Sequence, residues 1–144
     1  MQITRAGDYG IQGMLYLASL PEGKEAYIKE IAQARDIPVS FLAKIFQSLS
    51  RAGLVRSQRG AKGGFVLAKP AKEITLLDIL QAIEGAIALN LCMEGENTCY
   101  KSVQCPVHPV LKEAQNELAK TLGRHNLEEL VSKNGNSEHQ KDSD

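Results

Sequence analysis

Two short apolar runs, Leu54-Val55-Arg56-Ser57 and Phe65-Val66-Leu67-Ala68, flank the stretch Gln58-Arg59-Gly60-Ala61-Lys62-Gly63-Gly64. Glycine accepts turn angles that other residues resist, so two such runs joined by a glycine-rich loop predict a β-hairpin with a basic tip. The loop is no nucleotide cradle, because its glycines match neither the dinucleotide-binding nor the phosphate-loop spacing. The segments before and after it carry helical periodicity instead. The chain is therefore expected to be mainly α with one small hairpin.

Ile11, Met14, Leu15 and Ala18 recur at i, i+3, i+4 and i+7 and predict an amphipathic helix within 3–20, ending before Pro21. Pro21 to Glu25 reads as a turn. A short helix from about Tyr27 turns Ile28, Ile31 and Ala32 inward. Asp36-Ile37-Pro38-Val39 breaks it, since proline lacks a donor and its predecessor avoids helical angles. Ser40 is expected to cap a third helix with Phe41, Leu42, Ile45, Phe46 and Leu49 as its core stripe, ending near Gly53. After the hairpin and Pro70, Thr75-Leu76-Leu77-Asp78 resembles a capping box, opening a helix with Leu76, Leu77, Leu80 and Ile83. From Pro109 a longer helix carries Leu111, Ala114, Leu118 and Leu122, and a last one spans about Leu127 to Val131. The polar residues beyond it predict a disordered tail.

Two short helices joined by a tight turn and followed by a hairpin follow the winged helix-turn-helix order. The second helix of such a pair enters the DNA major groove, and the hairpin tip reaches the neighbouring backbone or minor groove. Here the reading helix spans about 40–52, with Ser40, Ala43, Lys44, Gln47, Ser48 and Arg51 between its core positions. Those polar, amide and cationic side chains suit base edges and phosphates. Arg59 and Lys62 crown the wing, and Gly60 lets backbone approach a phosphate. Charge supports the assignment. Residues 1–72 hold 11 Lys/Arg against 5 Asp/Glu (+6), and residues 73–144 hold 6 against 12 (−6), which the zero net charge conceals. A basic first half suits a polyanion. The plain alternative is a set of ordinary solvated surface cations.

All three cysteines fall within one short loop, Cys92, Cys99 and Cys105, with His108 three residues past the last thiol. An odd number of clustered thiols makes a poor disulfide framework but a good presentation of soft ligands to a metal or an iron–sulfur cluster. No leader-like opening and no bilayer-length apolar run is present, so a cytoplasmic protein with reduced thiols is expected. Three unrelated cysteines remain the plain alternative. No paired carboxylates, no Ser/His/Asp order and no His-Glu-x-x-His occur, so an enzyme is not expected. His139 falls in the polar tail, and His125, after Gly123-Arg124, reads as a helix C-terminal cap. The stripe Leu111, Ala114, Leu118, Leu122 needs an apolar partner, either a second copy or the chain's own winged domain.

The opening Ile3-Thr4-Arg5-Ala6-Gly7-Asp8-Tyr9, the segment Ile37-Pro38-Val39-Ser40-Phe41-Leu42-Ala43-Lys44-Ile45, the wing Arg59 to Leu67 and the three cysteines together resemble the Rrf2 family of bacterial winged-helix regulators, IscR-like and NsrR-like. The resemblance covers about residues 1–132. It implies a winged helix-turn-helix domain over 1–84, a cluster-binding loop over 85–108, a dimerisation helix and terminal helix over 109–132, and a tail over 133–144. It further implies a homodimer reading a palindromic operator in double-stranded DNA. An iron–sulfur cluster would be held by Cys92, Cys99 and Cys105 and would respond to redox, nitric oxide or iron–sulfur status. The fourth ligand would be His108, as in IscR-like members, or Asp8 of the partner subunit, as in some NsrR-like ones. A 2Fe-2S cluster with His108 is the reading taken, with 4Fe-4S as the alternative. The gap of six residues between Cys92 and Cys99 departs from the family's frequent five. Ala43 replaces a glutamate of IscR-like members, so their operator is not expected to transfer. Two readings compete: a zinc-binding or thiol-redox repressor using the same side chains, and an iron–sulfur carrier or electron-transfer protein.

Overall fold

The computed structural model describes residues 2–58, 64–89 and 105–133. Helix α1 (Arg5–Ser19) begins at Thr4, whose hydroxyl accepts the Gly7 N–H at 3.2 Å. Helices α2 (Ile28–Arg35) and α3 (Val39–Arg51) follow, and Asp36 turns the chain between them through a left-handed conformation (φ 54°). The cap of helix α3 falls two residues earlier than the sequence suggested. Pro38 holds the cap position, and its carbonyl accepts the Leu42 N–H at 3.0 Å. Proline's fixed φ suits the cap position, and the first-turn N–H groups of α3 receive no capping side chain. Ser40 lies instead within the first turn and is exposed.

The hairpin forms as expected from β2 (Val55–Ser57) and β3 (Gly64–Leu67), with Val55 opposite Leu67 and Ser57 opposite Phe65. A third strand, β1 (Ala26–Tyr27), pairs with the other edge of β3, giving the order β1-β3-β2. Two residues carry no readable periodicity, so this strand was not anticipated. A Cβ added at Gly64 would lie 2.5 Å from the Glu25 carboxyl group, just before β1.

Helix α4 (Leu76–Glu84) opens on the expected capping box, with Thr75 and Asp78 exchanging bonds of 3.0 and 3.1 Å. Helix α5 (His108–Gly123) packs on α4, and a last helix, α6 (residues 127–133), docks at the start of α4. Leu127 is fully buried there, and its N–H bonds the Ile74 carbonyl at 2.9 Å, while Leu76 N–H bonds the His125 carbonyl at 2.9 Å. His125 does not cap α5. Arg124 takes that position, and the His125 imidazole faces Glu129 across the first turn of α6 at 3.3 Å. Lys133, at 2.9 Å, and then His125 hold the Glu129 carboxyl below its ordinary range.

Met14, Ile31, Leu42, Phe46, Leu49, Ile79 and Leu127 form the dry centre of the core. Helix α1 lies close against α3 and α4 because Gly10 and Gly13 face them. A Cβ at Gly10 would overlap the Ile83 side chain, and one at Gly13 would lie 2.8 Å from the Phe46 ring. Phe46 is locked edge-to-face against Phe65, centroids 5.2 Å apart. The expected core changes in three helices. In α1, Leu17 joins Met14 in the core while Ile11, Leu15 and Ala18 are half-buried; in α3, Phe41 stands 40% exposed; in α4, Ile79 joins Leu80 in the core while Leu76, Leu77 and Ile83 are half-buried. No helix among the described residues is long and apolar enough to cross a membrane. Of the expected tail over 133–144, Lys133 closes α6 and the rest lies outside the described residues.

Candidate nucleic-acid interface and cysteine site

Helix α3 buries Leu42, Ile45, Phe46 and Leu49 on one side. A 3.6-residue repeat with that stripe inward leaves Ser40, Lys44, Gln47 and Arg51 on the opposite face, and all four are exposed. Ser48 and Ala43, at its margins, are half-buried. The predicted reading residues thus share one continuous face of one helix. Beside it, β2 exposes Arg56 and Ser57, and the Gln58 N–H bonds the Gly64 carbonyl at 2.9 Å to close the base of the wing. Arg59, Gly60 and Lys62 lie outside the described residues.

Cys105 and His108 are described, whereas Cys92 and Cys99 are not. Cys105 carries a free, half-buried thiol, and its carbonyl accepts the His108 N–H at 3.3 Å, bending the two residues into one turn at the start of α5. The His108 Nδ1 is shielded from solvent and is the one buried side-chain nitrogen or oxygen among the described residues without a hydrogen-bond partner. A shielded imidazole nitrogen with nothing to bond is chemically suited to a metal ligand. The described residues supply these two donors and gather no group of three. Asp8 sits exposed on the first turn of α1.

Helix α5 has no buried residue of its own. Leu111, Leu118 and Leu122 are half-buried and Ala114 is exposed. Val107 and Val110, 53% and 62% exposed, extend the same helical stripe toward the cysteine site. The heptad-like spacing from 107 through 110, 111, 114 and 118 carried that signal in the sequence.

Glu84 was also missed. Its carboxylate accepts from the Thr4 N–H at 2.7 Å and the Thr4 hydroxyl at 2.6 Å, fastening the end of α4 to the start of α1. Only the fold reveals a contact between residues so far apart in sequence.

Comparison with known proteins adds an independent line. The family described as Rrf2, iron-dependent transcriptional regulator, matches residues 3–133. The oxidized form of Staphylococcus aureus CymR is 30% identical with a TM-score of 0.71, over 91% of this chain and 96% of that one. CymR of B. subtilis, described as its global cysteine regulator, is 28% identical with a TM-score of 0.70, over 92% and 97%. T. potens IscR is 24% identical with a TM-score of 0.69, over 92% and 88%, a likeness of fold.

Proposed function

The chain belongs to the Rrf2 family of transcriptional regulators, and from that premise we propose that it is a dimeric, iron–sulfur-sensing repressor of a palindromic operator. Helix α3 enters the major groove, presenting Ser40, Lys44, Gln47, Ser48 and Arg51. The wing residues Arg59, Gly60 and Lys62 meet the adjacent backbone or minor groove. Residues 1–84 form the reading domain, 85–108 the ligand loop, and 109–132 the dimerising segment. Leu111, Ala114, Leu118 and Leu122 pair with their copies across a two-fold axis, since no residue of α5 is fully buried among the described residues.

The partnerless Nδ1 of His108, one turn from the Cys105 thiol, carries the metal reading. Cys92, Cys99, Cys105 and His108 form a three-thiolate, one-imidazole donor set, and imidazole in place of thiolate raises an iron–sulfur reduction potential. When bound, a 2Fe-2S cluster supplies a group sensitive to oxidants, nitric oxide and iron shortage. The chain's part is to hold it. Ligation fixes the loop at the N-terminus of α5, where the dimer stripe begins, so ligand occupancy and the spacing of the two reading heads are linked. Asp8 of the partner subunit is the alternative fourth ligand, on a 4Fe-4S cluster.

A second reading has its own support. The likeness to CymR, described as an oxidized form in S. aureus and as a cysteine regulator in B. subtilis, supports a regulator switched by thiol oxidation at the same side chains, with zinc as the metal alternative. Anaerobic purification separates the two. Brown protein with two irons and two sulfides per protomer, losing its colour in each of Cys92→Ala, Cys99→Ala and Cys105→Ala, is the expected result. Colourless protein overturns the cluster, and one zinc per protomer identifies its replacement. A protein that holds iron yet footprints no duplex is a carrier instead.

A further inference from the structure

Six large apolar side chains stand exposed among the described residues: Ile3, Tyr27, Val39, Phe41, Val107 and Val110. The last two belong to the dimer stripe of α5. Val39 and Phe41 have no such explanation. They flank Ser40 in the first turn of α3, 45% and 40% exposed, at the end of the helix that also exposes Lys44, Gln47 and Arg51. Single exposed apolar residues are ordinary on a protein surface. Two of them beside one serine, on a cationic helix built to enter DNA, make a surface of mixed chemistry. Ala43, half-buried one turn further on, adds a methyl group to it.

The Phe41 ring is also held in place. Tyr9 of α1 meets it edge-to-face, with centroids 5.5 Å apart and planes at 88°. That contact is a favoured aromatic arrangement and favours this orientation of the ring. An apolar side chain held in position at the leading end of a reading helix matches one feature of the major groove. Thymine alone among the four bases shows a methyl group there, and apolar side chains, phenylalanine included, select it by contact. The N-terminal residues of such a helix are those that meet base edges.

We propose that Val39 and Phe41 are specificity residues that read thymine C5-methyl groups in the operator, and that Tyr9 is the positioning residue for the Phe41 ring. This rests on the operator-binding reading above and deepens it. Lys44 and Gln47 then recognise polar base edges farther along the groove, and the leading end of α3 recognises thymine.

The test uses the full-length protein and its footprinted operator, with each half-site thymine replaced in turn by deoxyuridine. That change removes one methyl group and keeps every hydrogen-bonding group of the base. Affinity should fall about fourfold at one thymine for each of the two side chains, the ratio expected for one methyl-sized apolar group leaving a contact. Phe41→Ala should abolish the thymine-to-deoxyuridine ratio at one position and Val39→Ala at the other. Tyr9→Leu should shrink the Phe41 ratio, and Tyr9→Phe, which keeps the ring, should restore it. Each ratio is taken within one protein preparation, so partial unfolding of a variant cancels. A wild-type protein that footprints its operator yet binds every deoxyuridine duplex equally well overturns the inference and leaves the operator reading intact. Ratios that survive in both Phe41→Ala and Val39→Ala assign the methyl contacts elsewhere and overturn it as well. A protein that footprints no duplex removes both.

Discussion

Replacing Gly13 by alanine adds one methyl group to the inner face of α1, where it meets α3. The new Cβ would lie 2.8 and 3.2 Å from Cε2 and Cζ of Phe46 and 3.4 Å from a Leu42 methyl. Carbon atoms settle at about 3.5–4.0 Å, so the ring must retreat by roughly 0.7 Å or more. It has little room. Phe46 is 0% exposed and stacked edge-to-face on Phe65. Overpacking of this kind costs about 1–3 kcal/mol, whereas alanine in place of a helical glycine returns about 1 kcal/mol. With the ring locked, the upper part of that range applies, and a net loss of about 1–2 kcal/mol is expected.

Gly10→Ala is the internal control, because it collects the same helix propensity from the same helix. Its Cβ would overlap Ile83 Cδ1, the tip of a half-buried aliphatic chain rather than a locked ring, and would lie 3.3 Å from an Ile45 methyl. Urea unfolding followed by circular dichroism, at one fixed protein concentration so that dimerisation is constant, measures both. The midpoint of Gly13→Ala should fall below that of Gly10→Ala with m unchanged. Gly13→Ala matching or exceeding the wild type would refute the reasoning, since it would show that the α1–α3 contact yields freely.

Other outcomes follow from the same geometry. Val110→Glu combined with Leu118→Glu places carboxylates on the α5 stripe and should leave only monomer at micromolar concentration in sedimentation; a persistent dimer would move the interface elsewhere. Lys44→Ala and Arg59→Ala should each cost about 1–3 kcal/mol of operator affinity where they touch a base edge. Where they touch only phosphate, the salt slope should drop by about one for each, and an unchanged slope with unchanged affinity would take that residue off the DNA. Thr75→Ala removes the hydroxyl that accepts the Asp78 N–H at 3.1 Å, and about 1 kcal/mol of stability should go with it in the same urea assay.

The order of elements was legible wherever local chemistry was strong. Thr75 and Asp78 announce the start of α4, Pro38 and Asp36 the break between α2 and α3, and the Leu42-Ile45-Phe46-Leu49 stripe the buried side of α3. The outward face of α3 was readable for the same reason, because fixing the buried stripe fixes its opposite. Contacts between distant segments were not readable. The β1 strand exists only because β3 offers it an edge, and the Glu84 to Thr4 bonds link residues that periodicity treats independently. His125 misled because a histidine after a glycine reads as the end of a helix, whereas the docking of α6 on α4 makes it the start of the next.

Phe41 is the most instructive departure. An apolar residue next to a core stripe is assigned inward by any periodic reading, because the pattern records hydrophobicity and not what lies opposite. In α3 the inward arc is already filled by four side chains with relative exposures of 5% or less, and Phe41 falls at its margin, against Tyr9. A helix that only packed would gain by placing a polar residue at that margin. One that packs on one side and reads DNA on the other gains by keeping an apolar ring there, provided a neighbour holds the ring still. Periodicity therefore misassigns a residue of this kind in one direction, toward the core, and the margins of the buried arc are where to search for reading residues that such a pattern conceals.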